Sequence, residues 1–283
     1  MTKSYCVEGA GLGLRRGHMF RELLETDPKQ VQFMEVAPEN WIGLGGSLGK
    51  RFREYTERFP FVTHGLSLSI GSPAPLDVEF VKRIKDFIKQ HNILRYTEHL
   101  TYCSDDGHLY DLMPIPFTTD AVHYVAERIK QVQDILGQRI AIENASYYAA
   151  PGKEMEEIEF IKAVLDEADC DLLLDINNIY VNSVNHCYDP VEFLQALPAE
   201  RIAYSHIAGH YNEAEDLIVD THGADIIDPV WVLLDKAYET FGVFPTLLER
   251  DFNIPAIPTL MKEVDQICKI QEKWQSSPAA AHA

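Results

Sequence analysis

A chain of 283 residues, 46% of them hydrophobic, can bury one large core and has the length of an α/β barrel. Its formal net charge of −19 repels a phosphate backbone, which argues against nucleic acid as the main partner, and no apolar run approaches membrane-spanning length. The five cysteines, Cys6, Cys103, Cys170, Cys187 and Cys268, are odd in number and form no C-x-x-C pair, and residues 1–4 lack the features of a secretion signal; together these point to a reducing cytoplasm rather than to disulfides or a zinc finger.

In chain order, short apolar or β-branched runs fall at residues 8–14, 31–36, 61–64, 94–100, 139–144, 171–176, 202–207 and 246–250. Amphipathic stretches with apolar residues at three- and four-residue steps alternate with them, at 18–25, 48–59, 77–91, 119–136, 154–167, 190–197, 229–241 and 257–274. Eight β–α units in succession predict an α/β fold closed as a (β/α)₈ TIM barrel, one domain over residues 1–275 followed by a disordered tail at 276–283. Thr118, Asp189-Pro190 and Asp228-Pro229 supply helix starts, and Gly137 a helix stop.

The glycines of Gly9-Ala10-Gly11-Leu12-Gly13 imitate a dinucleotide fingerprint, yet the third glycine position of the frame is Leu14, so the close helix–strand approach that motif needs is missing. No nucleophile elbow or phosphate-cradling loop is present: Gly65-Leu66-Ser67-Leu68-Ser69 lacks the closing glycine.

A barrel carries its chemistry at the C-terminal ends of its strands. Here the third to eighth runs end in His64, His99, Glu143, Asp175, His206 and Glu249. Any one of these is commonly a hydrogen-bonded core residue or a cap. Three carboxylates and three imidazoles around one rim are another matter, since each uncompensated buried charge costs on the order of several kcal/mol and cations remove that cost. His210, Asp220 and His222 follow the seventh run; in an extended segment Asp220 and His222 point to the same side, and Asn178 can turn back from the sixth strand. These are too many donors for one ion. Imidazole and carboxylate without thiolate suit iron, manganese or zinc.

Taken in order, Gly11-Leu12-Gly13-Leu14-Arg15, Glu35-Val36-Ala37-Pro38-Glu39-Asn40, His64-Gly65, Glu98-His99-Leu100, Glu143-Asn144, Asp175-Ile176-Asn177-Asn178-Ile179-Tyr180-Val181, His206-Ile207-Ala208-Gly209-His210, Asp220-Thr221-His222 and Glu249-Arg250-Asp251 resemble the multinuclear non-haem iron-dependent oxidative enzymes, the family of the methanobactin biosynthesis oxidase. The resemblance implies a xylose-isomerase-like barrel with two or three iron ions, mixed-valent Fe(II)/Fe(III), and dioxygen as co-substrate. It implies that His64, His99 and Glu143 hold one iron, that Glu143 bridges to a second held by Asp175, His206 and Glu249, and that Asn178, Asp220 and His222 hold a third more weakly. His210 matches a further position near the cluster, an additional ligand candidate. No separate catalytic residue is implied. The implied activity is oxidation of cysteine residues in a ribosomally made precursor peptide, presented by a small partner protein, with no nucleic acid or membrane involved. The alternatives are a divalent-metal-dependent barrel acting on sugars or phosphodiesters, like xylose isomerase or endonuclease IV, and a non-catalytic metal or peptide binder. Substrate choice is assigned to loops and to any partner that grips the peptide: residues 103–117, with Tyr102, Tyr110, Met113 and Pro114, form either one such loop or a plain cap on the barrel, and Tyr147, Tyr148 and Tyr180 either line a pocket or pack beneath loops.

Overall fold

Eight short strands, nearly all of whose residues are buried, carry the fold in the computed structural model, which describes residues 4–276. They are β1 (Ala10–Gly13), β2 (Phe33–Val36), β3 (Phe61–Gly65), β4 (Tyr96–His99), β7 (Ala141–Glu143), β8 (Asp171–Asp175), β9 (Ile202–Ile207) and β12 (Thr246–Leu248). Burial on both faces explains why they read as short runs without an exposed polar face, the pattern of parallel strands covered by helices. They form a closed parallel barrel in the order β1-β12-β9-β8-β7-β4-β3-β2, and each of the eight expected runs contains one of them, save that β3 reaches one residue further, to Gly65.

Nine α-helices occur among the described residues: α1 (His18–Thr26), α2 (Gly46–Arg58), α3 (Val78–His91), α4 (Thr119–Leu136), α5 (Glu157–Ala168), α6 (Ile176–Asn185), α7 (Pro190–Gln195), α8 (Asp228–Phe241) and α9 (Ile257–Gln275). Helix α6 is absent from the sequence expectation. Its run Ile-Asn-Asn-Ile-Tyr-Val-Asn-Ser-Val-Asn is poor in helix formers, and it is held by burial and by Asp175, whose carboxylate caps the Asn178 N–H. Thr118 and Asp189 cap α4 and α7 as expected, whereas Asp228 is already the first residue of α8 and Ile227 occupies the cap position. Ser276 is ordered, its hydroxyl donating to the Glu272 carbonyl at 2.7 Å; the remainder of the expected tail, 277–283, lies outside the described residues. No described helix is long and apolar enough to cross a membrane.

Two hairpins also escaped the sequence reading: β5 (Thr101–Ser104) with β6 (His108–Pro114), and β10 (Tyr211–Ala214) with β11 (Leu217–Val219). Both are rich in exposed residues and so lack the apolar signal of the barrel strands.

Contacts divide the chain into two units, Met1–Glu35 with Leu174–Ala283, and Val36–Leu173. Within the second, Phe52 stacks on Trp41 at 4.5 Å and meets Phe61 edge-on at 5.7 Å, which packs α2 against the base of β3. Within the first, the Gln271 amide donates to the Gly9 carbonyl at 3.1 Å and to the Phe244 carbonyl at 3.2 Å, tying α9 to the chain entering β1 and β12.

Candidate metal centre

In the unit Val36–Leu173, strand register brings three donors together. β3 and β4 pair His64 with Thr97 and Gly65 with Glu98, and β4 and β7 pair His99 with Glu143. The hydrogen bonds then fix both imidazole tautomers. Thr97 Oγ1 donates to the Thr63 carbonyl at 3.3 Å and so accepts from His64 Nδ1 at 2.8 Å, while His99 Nδ1 lies 2.8 Å from the Gly65 carbonyl, which can only accept. Both Nδ1 atoms therefore carry the proton, and both Nε2 atoms present lone pairs. Those lone pairs stand 3.1 Å apart, and Glu143 Oε2 is 3.2 Å from each. Three converging acceptors repel one another unless a cation lies among them. Two ligands at about 2.1 Å from one ion lie about 3.0 Å apart at a right angle, so the observed separations leave room for an ion among the three groups.

Behind this group lies a second layer that sequence reasoning passed over. Glu98 is buried and accepts the Tyr96 hydroxyl at 2.5 Å. Glu39 Oε1 accepts the backbone N–H groups of Leu66 and Ser67 at 2.7 and 2.6 Å, holding the chain just past β3. Burial, then the nearby Glu39 charge, push the Glu98 carboxyl up to about 8, against the opposing pull of the Tyr96 hydrogen bond. Gly65 is required here, since a Cβ would lie 2.4 Å from both Glu98 Oε2 and the Tyr96 hydroxyl.

In the unit Met1–Glu35 with Leu174–Ala283, Asp175, His206 and Glu249 converge, all buried, each with a donor atom within 4.8 Å of the others'. His206 is oriented by Glu35, whose Oε2 lies 3.0 Å from Nε2 and also accepts the Tyr204 hydroxyl at 2.5 Å. On its other side, His206 Nδ1 lies 2.9 Å from Glu249 Oε2 and 3.9 Å from Asp175 Oδ2. A carboxylate behind a ligating imidazole is the usual device for fixing its tautomer and orientation. Arg15 serves Glu249 likewise: Nη2 takes Oε1 at 2.9 Å, and Nε binds Asp251 at 2.6 Å. Burial alone would raise the Glu249 carboxyl, but His206 and His222 outweigh it and hold it well below the usual carboxylate range.

His222 extends this group differently from the expectation. His222 itself leaves extended backbone, sitting in the left-handed region at φ 48°, and its Nε2 lies 2.7 Å from Asp220 Oδ1. Its Nδ1 lies 3.3 Å from Glu249 Oε2 and 3.3 Å from Asp251 Oδ2, so His222, Glu249 and Asp251 form a third ion-capable group in which Asp251 had not been anticipated. Burial opposes protonation of His222, yet Asp220 and Glu249 raise its basicity well above that of ordinary histidine. Asn178 is buried, its N–H held by Asp175 at 2.6 Å, and its Oδ1 has no hydrogen-bond partner. The neighbour Asn177, not Asn178, touches Asp220, donating at 2.9 Å, and its Oδ1 lies 2.8 Å from His210 Nδ1. His210 is stacked on Tyr180 at 5.3 Å and enters none of the ion-capable groups found among the described residues; burial lowers its basicity.

The structure thus gathers His64, His99 and Glu143 in one unit, and Asp175, His206, Glu249, Asp220 and His222 in the other. Glu35, Arg15 and Asp251 were visible only as letters of recurring motifs; nothing local in the sequence announces their contacts across more than 160 positions from Glu35 to Tyr204 and His206.

Comparison with known proteins bears on this site. The family described as "RiPP precursor modification enzyme MbnB/TglH/ChrH" matches residues 9–272. A UPF0276 protein of Alcanivorax borkumensis is 62% identical over 280 residues, 96% of this chain and 94% of that one. One from Shewanella sediminis is 64% identical over 261 residues, covering 92% and 94%. Among solved structures, the IOLI protein with a bound zinc atom aligns with a TM-score of 0.60 at 15% identity, over 95% of this chain and 100% of that one. The 3-keto-D-glucoside 4-epimerase of E. coli aligns with a TM-score of 0.59 at 12% identity, over 93% and 98%. At such identities the solved structures share the fold alone.

Proposed function

This chain belongs to the MbnB/TglH/ChrH family of RiPP precursor modification enzymes, and on that premise we propose that it is a multinuclear non-haem iron enzyme that uses dioxygen to modify cysteine residues of a ribosomally synthesised peptide. The observation that carries the reading is the meeting of His64 Nε2, His99 Nε2 and Glu143 Oε2 at 3.1 and 3.2 Å, three acceptors with both neutral-imidazole protons directed elsewhere. A donor set of imidazole and carboxylate without cysteine fits iron.

In this reading His64, His99 and Glu143 hold one ion, Asp175, His206 and Glu249 a second, and Asn178, Asp220 and His222 a third, the last with Asp251 beside it. Bound iron supplies one-electron chemistry with dioxygen and an electrophilic position for the cysteine sulfur. The protein's own contribution is positional. Thr97 and the Gly65 carbonyl keep the two Nε2 lone pairs directed inward, Glu35 does the same for His206 Nδ1, and Arg15 neutralises part of the carboxylate charge at Glu249 and Asp251. The barrel forms one catalytic domain, cytoplasmic, working on a peptide delivered by a small partner protein.

The test is anaerobic purification, elemental analysis, and oxygen uptake with cysteine-containing peptides after iron reconstitution. Bound iron and thiol-dependent uptake support the reading; protein that carries only zinc or magnesium, and takes up no oxygen once iron is restored, overturns it.

A further inference from the structure

Residues 220–227 join β11 to α8 and carry both Asp220 and His222, and within their unit this segment is held at three places. Near its start, the Asp251 N–H donates to the His222 carbonyl at 2.9 Å, and the Asn253 amide donates to the Gly223 carbonyl at 3.2 Å. In its middle, Ala224 lies directly against the chain just past β9, where a Cβ on Gly209 would run into the Ala224 carbonyl. At its end stands a charged latch. Arg250 Nη2 donates to Asp225 Oδ1 at 2.8 Å and to Glu263 Oε2 at 3.0 Å, while Glu263 Oε1 accepts the Ile226 N–H at 3.0 Å. Two consecutive residues of the segment, one by its side chain and one by its backbone, are thereby tied to Arg250 and to α9.

The two halves of the latch differ in strength. The Asp225 carboxylate is exposed, so water screens its pairing with Arg250. Arg250 is only 3% exposed and Glu263 is nearly buried, and a buried pair of this kind cannot lose one member without leaving an uncompensated charge. Arg250 also stands in sequence between Glu249 and Asp251, both of which meet His222 at 3.3 Å. The same short stretch therefore presents two carboxylates to His222 and, from the residue between them, the guanidinium that fixes the segment on which His222 lies.

Resting on the reading above that Asn178, Asp220 and His222 hold a third ion, we propose that Arg250 is a positioning residue for that ion. It acts through Asp225 and Ile226, setting where Asp220 and His222 stand, rather than on the ion itself. The other donors do not depend on this segment. Asp175 and His206 belong to β8 and β9, Glu249 is held by Arg15, and His64, His99 and Glu143 lie in the other unit. Loosening the latch weakens the third ion and spares the rest.

The experiment follows manganese(II) binding to metal-free full-length protein by the disappearance of the free-ion electron paramagnetic resonance signal. His222→Ala identifies which ion is the third. Arg250→Met is expected to weaken that ion by about 10-fold or more and to leave the others unchanged. Arg250→Lys, which keeps the charge but not the planar fork, is expected to lose an intermediate amount and serves as the deciding variant if Arg250→Met does not fold. Hydrogen exchange of the metal-free proteins gives a second measure: the Ile226 and Asp251 amides are expected to exchange faster in the Arg250 variants, with those of the barrel strands unchanged. Equal weakening of every ion, an unmoved third ion in the folded variants, or a His222→Ala protein that loses no ion overturns the proposal. Manganese binding needs neither dioxygen nor peptide. A selective loss therefore supports the latch even where iron-loaded protein takes up no oxygen and the oxidase reading falls, whereas intact uptake with the third ion unmoved sinks the latch alone.

Discussion

Glu35 and His206, 171 residues apart, meet at 3.0 Å through a single carboxylate oxygen that Tyr204 also shares, and this contact turns the other imidazole nitrogen of His206 toward Glu249. Glu35→Gln keeps the shape but replaces the charged acceptor. Metal affinity is expected to fall by about 10- to 100-fold, measured by competition with a chromophoric chelator. An unchanged affinity means that His206 needs no carboxylate behind it.

His64 has its Nδ1–H satisfied by Thr97 inside the core. Thr97→Val strands that donor and is expected to destabilise metal-free protein by about 1–3 kcal/mol. The check is the midpoint of urea denaturation. Thr97→Ser, which restores the hydroxyl, should recover most of the loss.

Glu143 lies 3.2 Å from two imidazole nitrogens, whereas Asn178 offers one neutral oxygen. Glu143→Ala is therefore expected to lower iron content more than Asn178→Ala. Equal losses by elemental analysis would contradict the assignment of Glu143 to the tight group.

The Glu98 carboxyl, near 4.5 when unfolded, is pushed up to about 8 in the fold by burial and Glu39. Between those values the folded chain holds a proton that the unfolded chain has released. The stability of metal-free protein should thus fall as pH climbs from about 4.5 towards 8, the full penalty being present above 8. Glu98→Gln should flatten that slope. A slope unchanged by the substitution, in denaturation midpoints collected across this range, assigns the effect to other groups.

Gly65 and Gly107 make a paired test of close approach. A Cβ at Gly65 would come within 2.4 Å of the Tyr96 hydroxyl, while at Gly107 nothing lies within 4 Å. Gly65→Ala is expected to cost about 1–3 kcal/mol, and Gly107→Ala under about 0.5 kcal/mol. Similar values in thermal unfolding would mean that β3 shifts freely.

The barrel was legible because its strands, buried on both faces, read as short apolar or β-branched runs alternating with amphipathic helices. That His64, His99 and Glu143 gather in one group, and Asp175, His206 and Glu249 in another, was legible because a parallel barrel collects strand ends, so these residues needed only their positions in those runs. Helix α6 was hidden by its asparagine- and valine-rich sequence, which burial and one cap override. Asp220 and His222 were paired by their spacing, whereas the positive φ of His222 leaves no mark in the sequence. Arg15, Glu35 and Asp251 act through contacts distant in sequence, which no local pattern encodes.

Thr101 and Pro114 face each other in register at the base of the β5–β6 hairpin. An insertion whose two ends are clasped together can be lengthened, shortened or exchanged without pulling on the strand that carries His99. Sequence change in this hairpin can therefore proceed while the barrel strands beneath it keep their register.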